Sequence, residues 1–263
     1  MLLQQRSRWL SYGGAWAPPG GARDSHESAA RAALREAAEE CALDPTVVVV
    51  HGILRDDHGG WAYSTVLASA AAPLAVAAIS DETARATWIP AQDIARMRLH
   101  PGFAEQWPVL RAALPLALAP LTIIVDAANV MGSRPDGWWR DRAGAARRLV
   151  GQIAALAEAG LASGELAEAP VSDSLAGLDR WFPRFVVVLE GAAAAAAEPA
   201  PQVPRLTLVR AAGSGDDEIV RQATDLSGPR LVVTADRELR ARCEAVGASV
   251  VGPRWLLDLV TRG

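Results

Sequence analysis

No lysine occurs anywhere in the 263 residues, so all 26 basic side chains are arginine. That absence excludes a phosphate-binding loop built on lysine, and it excludes a Schiff-base nucleophile. Cysteine is scarce: Cys41 and Cys243 stand far apart, and a reducing compartment is the expectation. The four histidines, His26, His51, His58 and His100, all lie in the first half, and no two stand at metal-ligand spacing. They read as surface or turn residues. A net charge of −4 provides no overall basic field to gather nucleic acid. Long apolar runs are missing too: residues 110–125 are interrupted by Arg111, Pro115 and Pro120, too broken for a membrane span. Met1, Leu2 and Leu3 run straight into Gln4, Gln5 and Arg6, which is not a secretory leader. These absences predict a soluble, cytoplasmic protein with no membrane partner.

What the chain does have is carboxylates in suggestive places. Its length suits two domains and two buried cores. Residues 21–43, GARDSHESAARAALREAAEECAL, predict a helix from about Ser25. Glu36, Glu39 and Glu40 then fall at i, i+3 and i+4, on one helical face. Like charges that close destabilise a helix, and acids near its C-terminus oppose the dipole. A divalent ion held by carboxylate oxygens is the simplest compensation.

The same residues resemble the Nudix hydrolase box, G-x5-E-x7-R-E-U-x-E-E-x-G-U, where U is aliphatic. Gly21, Glu27, Arg35, Glu36, Ala37, Glu39, Glu40 and Leu43 occupy its positions in register. The single departure is Ala42, which stands where the pattern has the glycine preferred at a left-handed helix end. The resemblance implies Glu39 and Glu40 as core ligands of Mg²⁺ or Mn²⁺, with Glu36 as a ligand or base. It implies that Glu27 and Arg35 brace them, with Gly21 in the turn before the helix. A nucleoside diphosphate linked to another moiety would be the substrate. Glu82 is the candidate for a further acid from a later loop, ahead of Asp56 and Asp57. Trp16, Trp61 and Trp88 are candidates to stack a base, with core packing as the competing role.

Around the box, residues 1–9, 47–54, 61–69 and 75–79 read as strands, and residues 91–97 as a short helix. That order resembles a Nudix α/β/α sandwich from its third strand onward. The box begins at Gly21, so the expectation is a shortened domain, residues 1–103, with leading strands missing and an edge exposed.

Residues 104–120 read as a helix plus linker. Beyond them, β-branched runs end at Asp126, Glu190 and near Asp236, with a further run at residues 206–209. Helical stretches lie at residues 140–160, 216–226 and 237–246, and the alternation predicts a doubly wound parallel sheet over residues 121–263. The alanine run at residues 192–197, with Glu198, Pro199 and Pro201, reads as a loop. In such sheets sites form at the carboxyl ends of strands, where Asp126, Glu190 and Asp236 stand, while Asp216 and Asp217 open a helix. Chemistry here must run on carboxylates and a metal, unless Asp216 and Asp236 are simply helix caps.

The motifs VDAANVMG, GSGDDEIV and VVTADRELR resemble the NYN division of PIN-like nucleases. That resemblance implies a metal held by Asp126, Asp216 or Asp217, and Asp236, supported by Asn129 and Thr234, and cleavage of RNA. Glu190 stands where an aspartate is more usual. Arg134, Arg140, Arg142, Arg147 and Arg148, with Trp138 and Trp139, would suit single-stranded nucleic acid, or equally a stapled helix start with solvated arginines. The resulting expectation is a two-domain, metal-dependent hydrolase. Its rival is a nucleotide sensor without turnover, whose second domain binds RNA or protein.

Overall fold

The computed structural model describes residues 1–134, 137–171, 177–197 and 203–262. The chain forms two compact units, Met1–Leu118 with Ala176–Asp179, and Ala119–Leu175 with Arg180–Gly263.

In the first unit β1 (Leu2–Arg6) is the middle strand of a three-stranded antiparallel sheet, between β2 (Trp16–Ala17) and β5 (Thr83–Trp88). Two strands thus precede the box helix, and β1 is paired along both edges. Leu3 of β1 is fully buried, and so is Gln4, an apolar and a polar side chain in succession. The helix α1 (Ala29–Cys41) starts later than Ser25, because Ser28 caps it by accepting from Arg31 N at 3.2 Å. The strands β3 (Val48–Asp57) and β4 (Ala62–Ala70) form an antiparallel hairpin whose register shifts between Val50 and Gly52. Residues 75–79 are not a strand. Their backbone serves α1 instead, with Ala77 N donating to Cys41 O and Ile79 N to Glu40 O. The predicted helix at 91–97 is confined to α2 (Ala91–Ile94). Residues 104–120 fall largely within α3 (Pro101–Leu118), whose Phe103, Trp107 and Leu110 are buried.

The second unit is built on a five-stranded sheet in which β6 (Thr122–Asp126) is central. A short helix α4 (Ala127–Gly132) follows it, then α5 (Arg142–Ala159), β7 (Leu161–Ala162), α6 (Ser163–Leu166) and β8 (Arg180–Trp181). The chain runs from β6 outward to β9 (Arg184–Leu189) and β10 (Leu206–Arg210). It returns through α7 (Gly215–Asp225) to β11 (Arg230–Val233), on the other side of β6. The helix α8 (Arg237–Ala245), strand β12 (Ser249–Val251) and helix α9 (Pro253–Arg262) complete the unit. All the sheet's pairings are parallel. Ile124, Val186, Val188 and Val232 form one core with Ile219, Ala223, Leu239 and Cys243 of α7 and α8. Their neighbours Ile123, Val125, Val187, Leu189, Leu231 and Val233 are fully buried as well. Both faces are therefore covered, which is why these strands read as unbroken apolar runs.

The alanine run is not a loop: Gly191–Ala197 forms 3-10 turns, and Glu198, Pro199 and Pro201 lie outside the described residues. Among the described residues no helix is long and apolar enough to cross a membrane.

Candidate functional site

In the first unit the acids of α1 meet the Pro-Pro-Gly-Gly segment that precedes the helix. Glu40 is buried, and its Oε2 accepts from Gly20 N at 2.8 Å and from Gln4 Nε2 at 2.8 Å. Gln4 in turn accepts from the Thr83 hydroxyl through Oε1. Burial pushes the Glu40 carboxyl above its ordinary value, although those donors pull the other way, and the charges of Glu36 and Glu82 add to the rise. Of the later-loop acids, Glu82 contributes to that rise, whereas Asp57 pairs with Arg55 and Asp56 with His58.

Glu36 is pinned from two sides. A Cβ on Gly21 would sit 2.6 Å from its Oε1, so any larger residue there would push the Glu36 carboxylate out of its place. Arg35 Nη1 donates to Glu36 Oε1 at 2.8 Å and to Glu39 Oε2 at 3.0 Å, while Nη2 reaches Glu27 Oε2 at 3.2 Å and Ala22 O at 3.0 Å. One guanidinium thus ties the preceding loop to two of the three clustered acids, and Glu27 lies below the ordinary carboxylate range mainly for that reason. Compensation that the sequence assigns to a metal is partly supplied by this arginine. Beside the acids lies a cavity of about 840 Å³, walled by Gly20, Gly21, Glu36, Trp61, Tyr63 and Trp88 among others. The Tyr63 hydroxyl would stand 3.3 Å from a Cβ on Gly20, and burial first, then Glu40, raises its pKa. Sequence reasoning missed Tyr63 and Gln4, and no signal in the sequence marks either one.

In the second unit the acids gather where strand order reverses about β6, at the carboxyl edge of the sheet. Asp126, Glu190, Asp216 and Asp236 share the wall of one cavity of about 450 Å³. Asp126 Oδ1 accepts from Asn129 N at 3.0 Å, capping α4, and Oδ2 accepts from the Thr234 hydroxyl at 2.9 Å. Asn129 Oδ1 accepts from Ala235 N at 2.9 Å, lacing α4 to the loop after β11. Asn129 is the chain's sole asparagine. Glu190 Oε2 accepts from Gly215 N at 2.9 Å, where a Cβ would intrude to 2.6 Å. Burial raises Asp126, with Asp216 and Glu190 adding to it, and Asp216 rises through burial and Asp236. Asp236 caps α8 through Leu239 N at 2.8 Å, as the capping alternative foresaw, yet still lines the cavity. Asp216 is not a cap, since Ser214 holds that position. Asp217 leaves the cluster and pairs with Arg242.

Trp138 and Trp139 meet edge to face at 6.4 Å, and the Arg142 guanidinium lies 5.3 Å over Trp138. Asp141, not a tryptophan, caps α5 through Gly144 N at 2.8 Å, while Trp139 stays exposed beside Arg140.

Carboxylate oxygens are the donors that a hard divalent cation takes, and both clusters hold acids with raised pKa values, poised to gain from one. Among the described residues, no three His, Cys, Asp or Glu side chains stand already arranged as a metal site. On α1 the Arg35 fork stands between them; in the second cavity the acids are held apart by their caps and backbone partners.

A buried glutamate under a glycine-rich turn, with an arginine fork holding the acids next to it at the edge of a large cavity, defines a site of a recognisable class. The NUDIX domain family matches residues 1–112. A Mycobacterium tuberculosis protein named as an 8-oxo-dGTP diphosphatase is 36% identical over 151 residues, covering 51% of this chain and 69% of that one. The chain belongs to the Nudix hydrolase family. The crystal structure of RenU, a Nudix hydrolase from M. smegmatis, is 40% identical, with 43% of this chain and 74% of that chain covered and a TM-score of 0.41. The Bacillus subtilis protein Rae1 (YacP) is 18% identical over 54% of this chain and 75% of its own, with a TM-score of 0.36.

Proposed function

We propose that the first unit hydrolyses the phosphoanhydride of a nucleoside diphosphate linked to another moiety, with Mg²⁺ or Mn²⁺ held by Glu36, Glu39 and Glu40. The observation that carries this reading is Glu40, a carboxylate buried against Gly20 and Gln4 and crowded by Glu36 and Glu82. Glu82 is the further acid. Glu27 and Arg35 hold the helix face in place, and Gly21 keeps room for Glu36. When bound, the ion supplies charge neutralisation at the diphosphate and activation of a water. The name of the M. tuberculosis relative makes an oxidised guanine nucleoside triphosphate the first compound to try. Glu40→Gln is expected to lower Mg²⁺-dependent hydrolysis by about a hundredfold or more, beyond the roughly 10–100-fold typical of residues that only orient ligands. Phosphate release and circular dichroism measure this; hydrolysis at the parental rate in a folded variant removes Glu40 from the mechanism.

For the second unit the reading is a PIN-like ribonuclease of the NYN type, with the metal held by Asp126, Asp216 and Asp236, and by Glu190 in place of the usual aspartate. Asn129 and Thr234 orient Asp126, and Trp138, Trp139, Arg140 and Arg142 contact the RNA. Asp217, turned toward Arg242, has no part in the metal set of the cavity. Asp126→Asn, which keeps an acceptor for Asn129 N, is expected to eliminate Mn²⁺-dependent cleavage of single-stranded RNA; undiminished cleavage overturns the assignment.

The Arg35 fork favours a second reading of the first unit, in which it binds a nucleotide without turnover, since Glu36 and Glu39 are already engaged. Heat of binding without phosphate release on one nucleotide panel would select it.

A further inference from the structure

The tip of the β3–β4 hairpin carries an aromatic stack on the wall of the same cavity as Gly21 and Glu36. The Trp61 indole is 63% exposed, and one of its faces is covered by the His58 ring at 4.2 Å and an interplanar angle of 18°. His58 is itself anchored, its Nε2 lying 3.1 Å from Asp56 Oδ2. The turn is closed by His58 N donating to Trp61 O at 2.9 Å, and Gly59, at φ +81°, donates to Asp57 Oδ1 at 2.9 Å. The two other tryptophans considered for stacking are committed elsewhere: Trp88 Nε1 donates to Leu74 O at 2.7 Å, and Arg85 lies 5.9 Å over Trp16. An exposed indole backed by a parallel ring, on a braced turn, is a preorganised platform with its second face open.

We propose that Trp61 is the stacking platform for the base of a purine nucleotide, and that Asp56 and His58 position it from behind. This rests on the reading of the first unit as a nucleotide-cleaving site and names its substrate class. A bicyclic base covers more of the indole than a pyrimidine does, and stacking of this kind tolerates ring substituents because every base presents a π-face. Trp61 is thereby a specificity-determining residue: it selects for a large aromatic base, while the acids of α1 act on the phosphates.

The test measures KM and kcat with Mg²⁺ for a purine nucleoside triphosphate and its pyrimidine counterpart, and calorimetric affinity for both and for inorganic tripolyphosphate. Trp61→Ala is expected to raise the purine KM about tenfold or more, the pyrimidine KM less, and to leave kcat and tripolyphosphate affinity unchanged. Trp61→Phe should recover most of the purine affinity, and His58→Ala should fall between. An unchanged purine KM, or an equal loss for tripolyphosphate, overturns the proposal. Should the parental protein cleave none of the panel, the hydrolase reading fails on its own, and calorimetry still decides the platform: purine binding that Trp61→Ala does not weaken, or no purine binding at all, refutes it.

Discussion

Glu40 lies where water is scarce and a second acid is near, which is an unfavourable place for a charge. Its raised pKa means that the folded chain holds the proton more tightly than the unfolded chain does. Stability from this group is therefore fully present below its ordinary value of 4.5 and is lost as pH rises through the raised folded value. Glu40→Gln, neutral throughout and still able to accept from Gly20 N and Gln4, is expected to melt higher than the parental protein near pH 7 in chelator. The difference should close as the pH falls below 4.5, read by thermal denaturation across a pH series. A variant melting lower at neutral pH would show that the charge stabilises the fold. At this scale part was legible: Arg35 meets Glu27, Glu36 and Glu39, and Gly21 lies against Glu36, all residues that the family resemblance picked out. Gln4 and Tyr63 were not, because their relation to the acids comes from strands paired across the sheet and the hairpin rather than from spacing along a helix.

Among elements, α1 shows how a local rule is broken and tolerated. Ala42 takes φ 54° and ψ 29°, the left-handed conformation, and the helix closes with Ala42 N to Ala38 O at 3.1 Å and Leu43 N to Ala37 O at 3.2 Å. The turn that glycine normally makes is formed all the same. A non-glycine residue there costs about 1–2 kcal/mol, and replacing it with glycine gives back roughly 0.5–1 kcal/mol of chain entropy to the unfolded state. Ala42→Gly is thus expected to stabilise by about 0.5–1 kcal/mol, seen as a melting shift of roughly 2–4 °C with hydrolysis unchanged. No shift would mean that the strain is relieved elsewhere. The strands of the parallel sheet were readable because burial on both faces writes an unbroken apolar run. Residues 75–79 misled for the same reason, being apolar enough for a strand yet used to satisfy the last carbonyls of α1. Nor did the sequence reading separate β12 and α9, since a three-residue strand leaves little periodicity to detect.

For the molecule as a whole, each unit has its own core and its own acid cluster, so lesions in one are expected not to propagate to the other. A chain carrying Glu40→Gln should keep the parental rate of RNA cleavage, and one carrying Asp126→Asn should keep the parental rate of nucleotide hydrolysis, both read on the intact protein. Loss of both activities with either substitution would show that the two sites are coupled.

The order of residues alone determined the Nudix box, the acids on one face of its helix and the parallel sheet, because helical spacing and apolar runs are local properties of a chain. Tertiary structure decided which acids share a cavity. Asp216 and Asp217 are sequence neighbours, yet one faces Asp126 and Asp236 while the other turns out to Arg242. It also decided which tryptophan stands open: Trp61 stacks on His58 at the cavity wall, whereas the Trp88 indole is spent on a backbone carbonyl. Direction and exposure are set by what packs against a side chain, and no spacing along the sequence encodes that.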